Sequence, residues 1–399
     1  MNKKTLEEIE VKGKRVLVRA DFNIPLEPGA NTIAEYDHRL RAVLPTVHYL
    51  LNHRAKIILC SHLGRPGGKV VEELRLGPVA HRLSDLLGHP VLYVKDAVGQ
   101  EASAAAARLG PGELLLLENL RFYPGEEKND PQFARALASL ADIFVMDAFG
   151  VAHRAHASTV GVPHYLPSVA GLLLKRELDM LGGALDEPRR PLGALLGGAK
   201  VNDKIMVLEN LLPRVNALLI GGGMAVTFLK AAGHSVGRSR VETDKLEFAA
   251  QFIRRTQSNG AAFLLPTDVV VAEEFRADAQ HIMTVPVTQV PSDWYIMDIG
   301  PRTVELFTRE LRKCQTVIWN GPMGVFEFPA FAQGTRRIAE ALASLKGAIT
   351  IVGGGSTAEA VEQLGLADKM THVSTGGGAM LEYLGHRPLP GLEALRTSL

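Results

Sequence analysis

Short apolar runs rich in β-branched residues alternate along the chain with longer stretches of helical period. In the first half the runs are Arg15–Phe22, Lys56–Cys60, Val91–Val94, Glu113–Leu117 and Ile143–Asp147. The helical patterns between them cover Arg39–Leu51, Val79–Leu87, Ala102–Leu109 and Pro131–Leu140. The runs are mostly apolar instead of alternating, as strands buried on both faces require. The rhythm predicts a parallel sheet with helices on both sides.

The same rhythm restarts beyond residue 190. Strands are expected at Leu192–Leu196, Ala217–Ile220, Ala262–Leu265, Tyr295–Asp298, Thr316–Trp319 and Ile349–Val352. Helices are expected at Asp203–Leu211, Ala225–Lys230, Lys245–Ser258, Thr303–Lys313, Phe331–Leu345 and Ala358–Leu364. Between the two series lies a leucine- and charge-rich helical stretch, followed by Asp186-Glu187-Pro188-Arg189-Arg190-Pro191, where two prolines stop a helix. The expected fold class is α/β, with two domains of similar size, each a mostly parallel sheet flanked by helices, joined by a hinge helix. The expected boundaries are 1–171, a hinge and linker at 172–190, and 191–388, with 389–399 returning to the first domain.

Composition adds exclusions. With 44 basic and 43 acidic residues the net charge is +1, so the basic excess of a nucleic-acid or membrane-surface protein is missing. The two cysteines, Cys60 and Cys314, form no CxxC pair and no zinc pattern, which fits reduced thiols in a cytoplasmic protein. No apolar run reaches spanning length, and the N-terminus lacks a secretory h-region.

The loops that follow the strands differ between the halves. In open α/β sheets, ligands bind beyond the carboxyl ends of the strands. In the first half those ends carry Asp21-Phe22-Asn23, Ser61-His62-Leu63-Gly64-Arg65, Glu118-Asn119-Leu120-Arg121 and His153-Arg154-Ala155-His156, with Arg39 opening the first helix. One such arginine is ordinarily a surface residue. Four at the ends of one sheet point to a small, multiply anionic ligand, because the guanidinium fork matches phosphate and carboxylate geometry.

In the second half the strand ends are Gly197-Gly198-Ala199-Lys200, Gly221-Gly222-Gly223, Gly353-Gly354-Gly355-Ser356-Thr357 and Gly376-Gly377-Gly378. Glycine lets main-chain amides approach phosphate oxygens, and a helix N-terminus adds positive partial charge. Several such turns in one sheet suggest a nucleotide, although any one of them reads equally as a tight turn. The P-loop pattern, the dinucleotide fingerprint and the protein-kinase catalytic loop are all missing. An anion site and a nucleotide site together suggest phosphoryl transfer, which asks for positioning and charge neutralisation. A carboxylate acceptor is ionised at neutral pH and needs no general base.

The stretches Leu117–Asp130, Asp147–Thr159, Leu196–Lys204, Ile318–Phe328 and Ser374–Gly378, in this order, resemble the phosphoglycerate kinase family over essentially the whole chain. The resemblance implies reversible phosphoryl transfer between 1,3-bisphosphoglycerate and ADP, by in-line transfer after hinge closure, in a cytoplasmic monomer. It implies that Asp21, Asn23, Arg39, His62, Leu63, Gly64, Arg65, Arg121 and Arg154 bind 3-phosphoglycerate. It implies that Lys204, Gly222, Gly300, Asn320, Pro322, Glu327, Gly354, Gly355, Ser356 and Thr357 bind ATP or ADP. Arg39, Lys200, Gly376 and Gly377 match the groups that stabilise the transferring phosphoryl.

One position departs from the family. Ser356 stands where the family has an aspartate that helps to hold Mg2+, leaving a weak, neutral ligand. The expectation is weaker magnesium dependence or altered nucleotide affinity with activity kept; the other reading is a tolerated variant whose missing charge comes from elsewhere. Two rivals remain: a dehydrogenase or ligase on a similar sheet, told apart by whether NADH or ATP protects the protein from unfolding, and a non-catalytic binding relative, told apart by assay. His153, His156, Trp319 and Asp268 are expected to be structural.

Overall fold

The computed structural model describes residues 3–24 and 37–395. The chain divides into two compact units. One runs to Asp179 and takes back the chain from Pro388; the other is Met180–Arg387. Each is described by itself.

The first unit contains one six-stranded sheet in the order β3-β4-β2-β1-β5-β6. Its strands are β1 (Arg15–Arg19), β2 (Lys56–Cys60), β3 (Val91–Tyr93), β4 (Leu114–Leu116), β5 (Ile143–Met146) and β6 (Ser168–Ala170). All pairings are parallel. Helices α1 (His38–Asn52), α2 (Gly77–Leu87), α3 (Gln100–Arg108), α4 (Pro124–Glu127) and α5 (Pro131–Ala138) connect the strands, and α6 (Leu172–Asp186) follows the last of them. The strands at the middle of the sheet are almost wholly buried, as their mostly apolar sequence requires. The short β6 escapes the sequence pattern, because Ser168 and the neighbouring proline make it read as a turn.

The chain from Pro388 contributes α14 (Pro390–Glu393), which packs on the first unit. The Gly391 amide donates to the Ala152 carbonyl at 2.8 Å. Residues 396–399 of the expected returning segment lie outside the described residues.

The second unit has a six-stranded parallel sheet in the order β15-β14-β13-β7-β8-β9. Its strands are β7 (Leu192–Leu196), β8 (Ala217–Ile220), β9 (Ala262–Leu264), β13 (Thr316–Asn320), β14 (Ile349–Gly353) and β15 (His372–Val373). Its helices are α7 (Ile205–Leu211), α8 (Gly222–Ala231), α9 (Leu246–Asn259), α10 (Pro301–Leu311), α11 (Gln333–Ala343), α12 (Gly355–Gln363) and α13 (Gly377–Leu384). A separate antiparallel sheet, β11-β10-β12, is formed by β10 (Asp268–Ala272), β11 (Ile282–Pro286) and β12 (Tyr295–Ile299). The run at Tyr295 therefore belongs to this small sheet and not to the parallel one.

The strand orders locate the sites. In the first unit the chain turns one way from β1 to β2, while β5 joins the other side of β1. In the second, β8 and β13 flank β7 in the same manner. The loops at such reversals diverge and leave a crevice at the carboxyl ends of the strands.

Candidate functional site

In the first unit the crevice is built around a charge that sequence reasoning overlooked. Arg19 ends β1 and is fully buried. Its Nε donates to Ser158 Oγ at 2.8 Å, and Ser158 in turn donates to the fully buried Glu126, from Oγ at 2.5 Å and from its amide at 3.0 Å. Burial raises the Glu126 pKa, against the nearby Arg19 charge and the bonds from Ser158. The one signal for Arg19 in the sequence is a cation inside an apolar strand. Glu126 and Ser158 carry no such signal, because their roles depend on loops that meet only in the fold.

Another Arg19 nitrogen lies 3.2 Å from His62 Nδ1. A guanidinium only donates, so Nδ1 accepts and the imidazole proton sits on Nε2. Burial, together with the Arg19, Arg121 and Arg39 charges and against Asp21, holds the His62 pKa well below the usual range. His62 is therefore neutral, with Nε2–H as its donor.

Asp21 is buried and pairs with Arg39. Burial raises its pKa, but Arg39 above all, with Arg19 and the Asn23 amide, outweighs it, bringing it down to about 2. Asp21 Oδ1 also accepts the Asn23 amide at 3.1 Å, and Asn23 Oδ1 accepts the Gly64 amide at 2.8 Å. Gly64 has φ +64°, a turn that glycine adopts without strain. Its carbonyl accepts from Arg121 at 2.7 Å. The fully buried Asn119 ties the same loops together: its Oδ1 accepts the amides of Leu63 at 3.2 Å and Arg121 at 3.1 Å. Asp21, Asn23, Arg39, His62, Leu63, Gly64 and Arg121 are thus one connected set.

Arg154 joins through its charge. Burial lowers the Arg121 pKa, Glu127 opposes this, and Arg154 and Arg19 push it lower. His156 is lowered to about 4 by burial and then by Arg19, Arg121, Arg154 and His153. Cations that depress one another's neighbours form a site short of negative charge. Arg65 is exposed and, among the described residues, makes no ion pair with this set. It stands at the rim.

In the second unit the crevice lies at the ends of β7 and β13. The glycines there serve main-chain packing first. A Cβ on Gly197 would meet the Pro322 carbonyl oxygen at 2.3 Å, and one on Gly222 (φ +62°) would meet that same atom at 2.6 Å. Gly355 differs, because a Cβ there meets nothing within 4 Å. It begins α12, next to the start of α13, where a Gly377 Cβ would lie 3.2 Å from the Gly355 amide nitrogen. Gly354 and Gly376 are the N-caps of these helices. Two helix N-termini thus abut and pool their positive partial charge.

Lys204 is only 7% exposed, and a Cβ on Gly198 would lie 3.4 Å from its Nζ. Burial lowers its pKa, opposed by Asp203. Among the described residues it has no carboxylate within ion-pair distance. A buried ammonium without a partner is costly and suits an incoming anion. Lys200 is exposed four residues earlier.

A cavity of about 570 Å³ opens beside these turns. Gly222, Pro322, Glu327 and Ser356 line it, with apolar walls from Leu229, Phe275 and Tyr295. Asn320 and Thr357 are not among its lining residues. Thr357 Oγ1 accepts the Gly321 amide at 2.7 Å, and both side chains are buried. Gly300 is not among the lining residues. It caps α10 and packs on Asp268, whose carboxylate accepts the amides of Arg302 and Thr303 at 3.1 and 2.7 Å. Trp319 is fully buried in the core.

Among the described residues no three side chains of His, Cys, Asp or Glu are grouped to hold a metal. Beside Ser356 stand Glu327 and, one turn along α12, Glu359, whose pKa is raised by burial and then by Glu327. This donor set does not make a protein-held magnesium site. No described helix is long and apolar enough to cross a membrane.

Comparison with known proteins follows the same line. The family model described as phosphoglycerate kinase matches residues 6–387. Phosphoglycerate kinases of Moorella thermoacetica and Pelotomaculum thermopropionicum are 58% and 54% identical over 395 residues, 99% of this chain and of each relative. The solved phosphoglycerate kinase of Coxiella burnetii superposes with a TM-score of 0.86 at 41% identity, covering 98% of both chains. That of Pyrococcus horikoshii superposes with a TM-score of 0.87 at 33% identity, covering 99% of both chains.

Proposed function

The chain belongs to the phosphoglycerate kinase family, and from that premise we propose how its own residues carry the reaction. The enzyme is a phosphotransferase of glycolysis. Its reaction joins 1,3-bisphosphoglycerate and ADP to 3-phosphoglycerate and ATP.

In this reading Arg39, Arg121, Arg154 and the rim residue Arg65 hold the phosphate and carboxylate of 3-phosphoglycerate. Asp21 and Asn23 set Arg39 and the Gly64 loop in place, and His62 donates through Nε2–H. Lys204 takes the nucleotide phosphates, with the amides of Gly354, Gly355, Ser356 and Thr357. Gly222, Asn320 and Pro322 shape the nucleotide cleft, and Glu327 accepts from the ribose. A substrate carboxylate oxygen attacks the γ-phosphorus of ATP, the bond to the β-bridging oxygen breaks, and ADP leaves with that electron pair. No proton has to move, which accounts for a site without a general base. Charge on the moving phosphoryl meets Arg39, Lys200 and the helix starts at Gly376 and Gly377. Bending at 172–190 excludes water and commits the substrates. The protein works as a cytoplasmic monomer.

Magnesium belongs to this proposal as a companion of the nucleotide. Its ligands would be phosphate oxygens and water, with Ser356 the neighbouring protein group.

The observation that carries the reading is the connected cationic set around His62, with Arg19 3.2 Å from its Nδ1, Arg39 paired with Asp21 and Arg121 bonded to the Gly64 carbonyl. The test is ADP release from ATP on addition of 3-phosphoglycerate, in a coupled assay. Turnover that depends on both substrates and falls at least tenfold in Arg121→Ala and in Lys204→Ala is expected. Turnover unaffected by either change would remove the assignment.

A further inference from the structure

The turn that carries Lys200 and Lys204 is not held by its own residues alone. Val201 is fully buried, and its carbonyl accepts the Lys204 amide at 2.9 Å. The amides of Val201 and Asn202, like the first amides of any helical turn, need an acceptor from elsewhere. Glu242 supplies it. Its Oε2 accepts from Val201 at 2.5 Å and its Oε1 from Asn202 at 3.4 Å. Glu242 is itself tied down, because its amide donates at 3.2 Å to the hydroxyl of Thr227, which is 1% exposed on α8.

Glu242 shares a polar hollow of about 340 Å³ with Lys200 and Arg240. Among the described residues it pairs with neither cation. Its carboxylate is committed to two main-chain amides. A charged acceptor on an amide makes a stronger bond than a neutral one, so the clamp is stiff.

We propose that Glu242 is a positioning residue for phosphoryl transfer: it clamps the turn from which Lys200 and Lys204 reach the nucleotide phosphates. This rests on the reading of Lys204 as a phosphate ligand. Glu242 touches no reacting atom. It acts by fixing where two cations stand, and misplacement by a fraction of an ångström is felt in the rate.

Calorimetric titration with ADP and, separately, with 3-phosphoglycerate tests this on full-length Glu242→Ala, Glu242→Gln and Lys204→Ala, alongside kcat and thermal melting. The expected result for Glu242→Ala is an ADP affinity weakened about tenfold and a lowered kcat, the loss expected for bonds to one charged group. Its affinity for 3-phosphoglycerate should stay within twofold. Glu242→Gln keeps an acceptor oxygen and should recover most of both losses. Hydrogen exchange of the peptide spanning 197–206 should speed up in Glu242→Ala alone. If Lys204→Ala weakens ADP binding while Glu242→Ala leaves it within twofold, the clamp is refuted and the nucleotide site stands. If Glu242→Ala weakens both ligands equally and lowers the melting temperature, the role is structural and the proposal is refuted. If Lys204→Ala leaves ADP affinity unchanged, the nucleotide assignment fails and takes this inference with it.

Discussion

Arg39 and Ser356 show how much of the chemistry rests on single side chains. Arg39 is held by Asp21, which the pairing keeps ionised down to about pH 2. Its position is therefore constant above about pH 2, and in the proposed mechanism its charge matters most as the phosphoryl group moves. Arg39→Ala should lower kcat at saturating substrates by about 10²–10³, the cost of removing one well-placed donor from a transition state; an unchanged kcat would deny it that role. Ser356 offers a neutral oxygen where a carboxylate would bind a hard cation better. Ser356→Asp should tighten ADP binding in the presence of magnesium and steepen its magnesium dependence, as read by calorimetry. Equal affinities at all magnesium concentrations would mean that the site lacks no carboxylate. At this scale the sequence was partly legible. Four arginines at strand ends stood out in the chain, whereas Glu126, Ser158 and Glu242 are unremarkable until folding brings them to the backbone amides and side chains they serve.

Helix starts and strand ends carry the next level. Gly222 and Gly355 look alike in the sequence but do different work. Gly222→Ala would press a Cβ into the Pro322 carbonyl oxygen at 2.6 Å, at a positive φ. Stability should fall by about 1–3 kcal/mol. Gly355→Ala faces open space, so thermal stability should be unchanged while ADP affinity drops, because the methyl group stands where phosphate would approach. Melting curves and ADP titration on the two variants separate these outcomes. The repeated glycines thus have two physical causes that no single sequence can tell apart.

The start of α6 is a second case. The fully buried Asp147 accepts the amides of Leu173 and Leu174 at 2.9 and 3.1 Å, while its Oδ2 has no partner. Burial, against the Thr46 hydroxyl and those amides, lifts its pKa to about 7. A free aspartate titrates near ~4. Its contribution to stability is therefore complete below about pH 4 and is lost as the pH rises through about 7. His156, held at about 4 by burial and neighbouring cations, acts in the opposite sense, losing stability as the pH falls from about 6.5. The difference in melting temperature between wild type and Asp147→Asn isolates the first effect. It should shift against the wild type by several degrees from pH 5 to pH 8; parallel curves would show that Asp147 does not titrate there.

Across the whole molecule, two parallel sheets repeat one plan, and in the proposed reading the loops at the reversal of strand order decide what each unit binds. That plan was legible because strands buried on both faces are mostly apolar, so their runs stand out from the helices between them. The antiparallel sheet β11-β10-β12 was not legible as a separate layer. Its edge strand Ile282–Pro286 is largely exposed and sits among polar turns, so the run at Tyr295 reads as one more parallel strand. Net charge near zero hides the division of labour as well, because cations gathered at one crevice are balanced by carboxylates spread over the surface.

Hydrogen–deuterium exchange of the wild-type protein with one ligand at a time tests that division most directly. Addition of 3-phosphoglycerate alone should slow exchange at 19–23, 61–65 and 119–122, and addition of ADP alone should slow it at 197–204, 221–223 and 354–357. Protection by either ligand in the other's segments, with none in its own, would contradict the account.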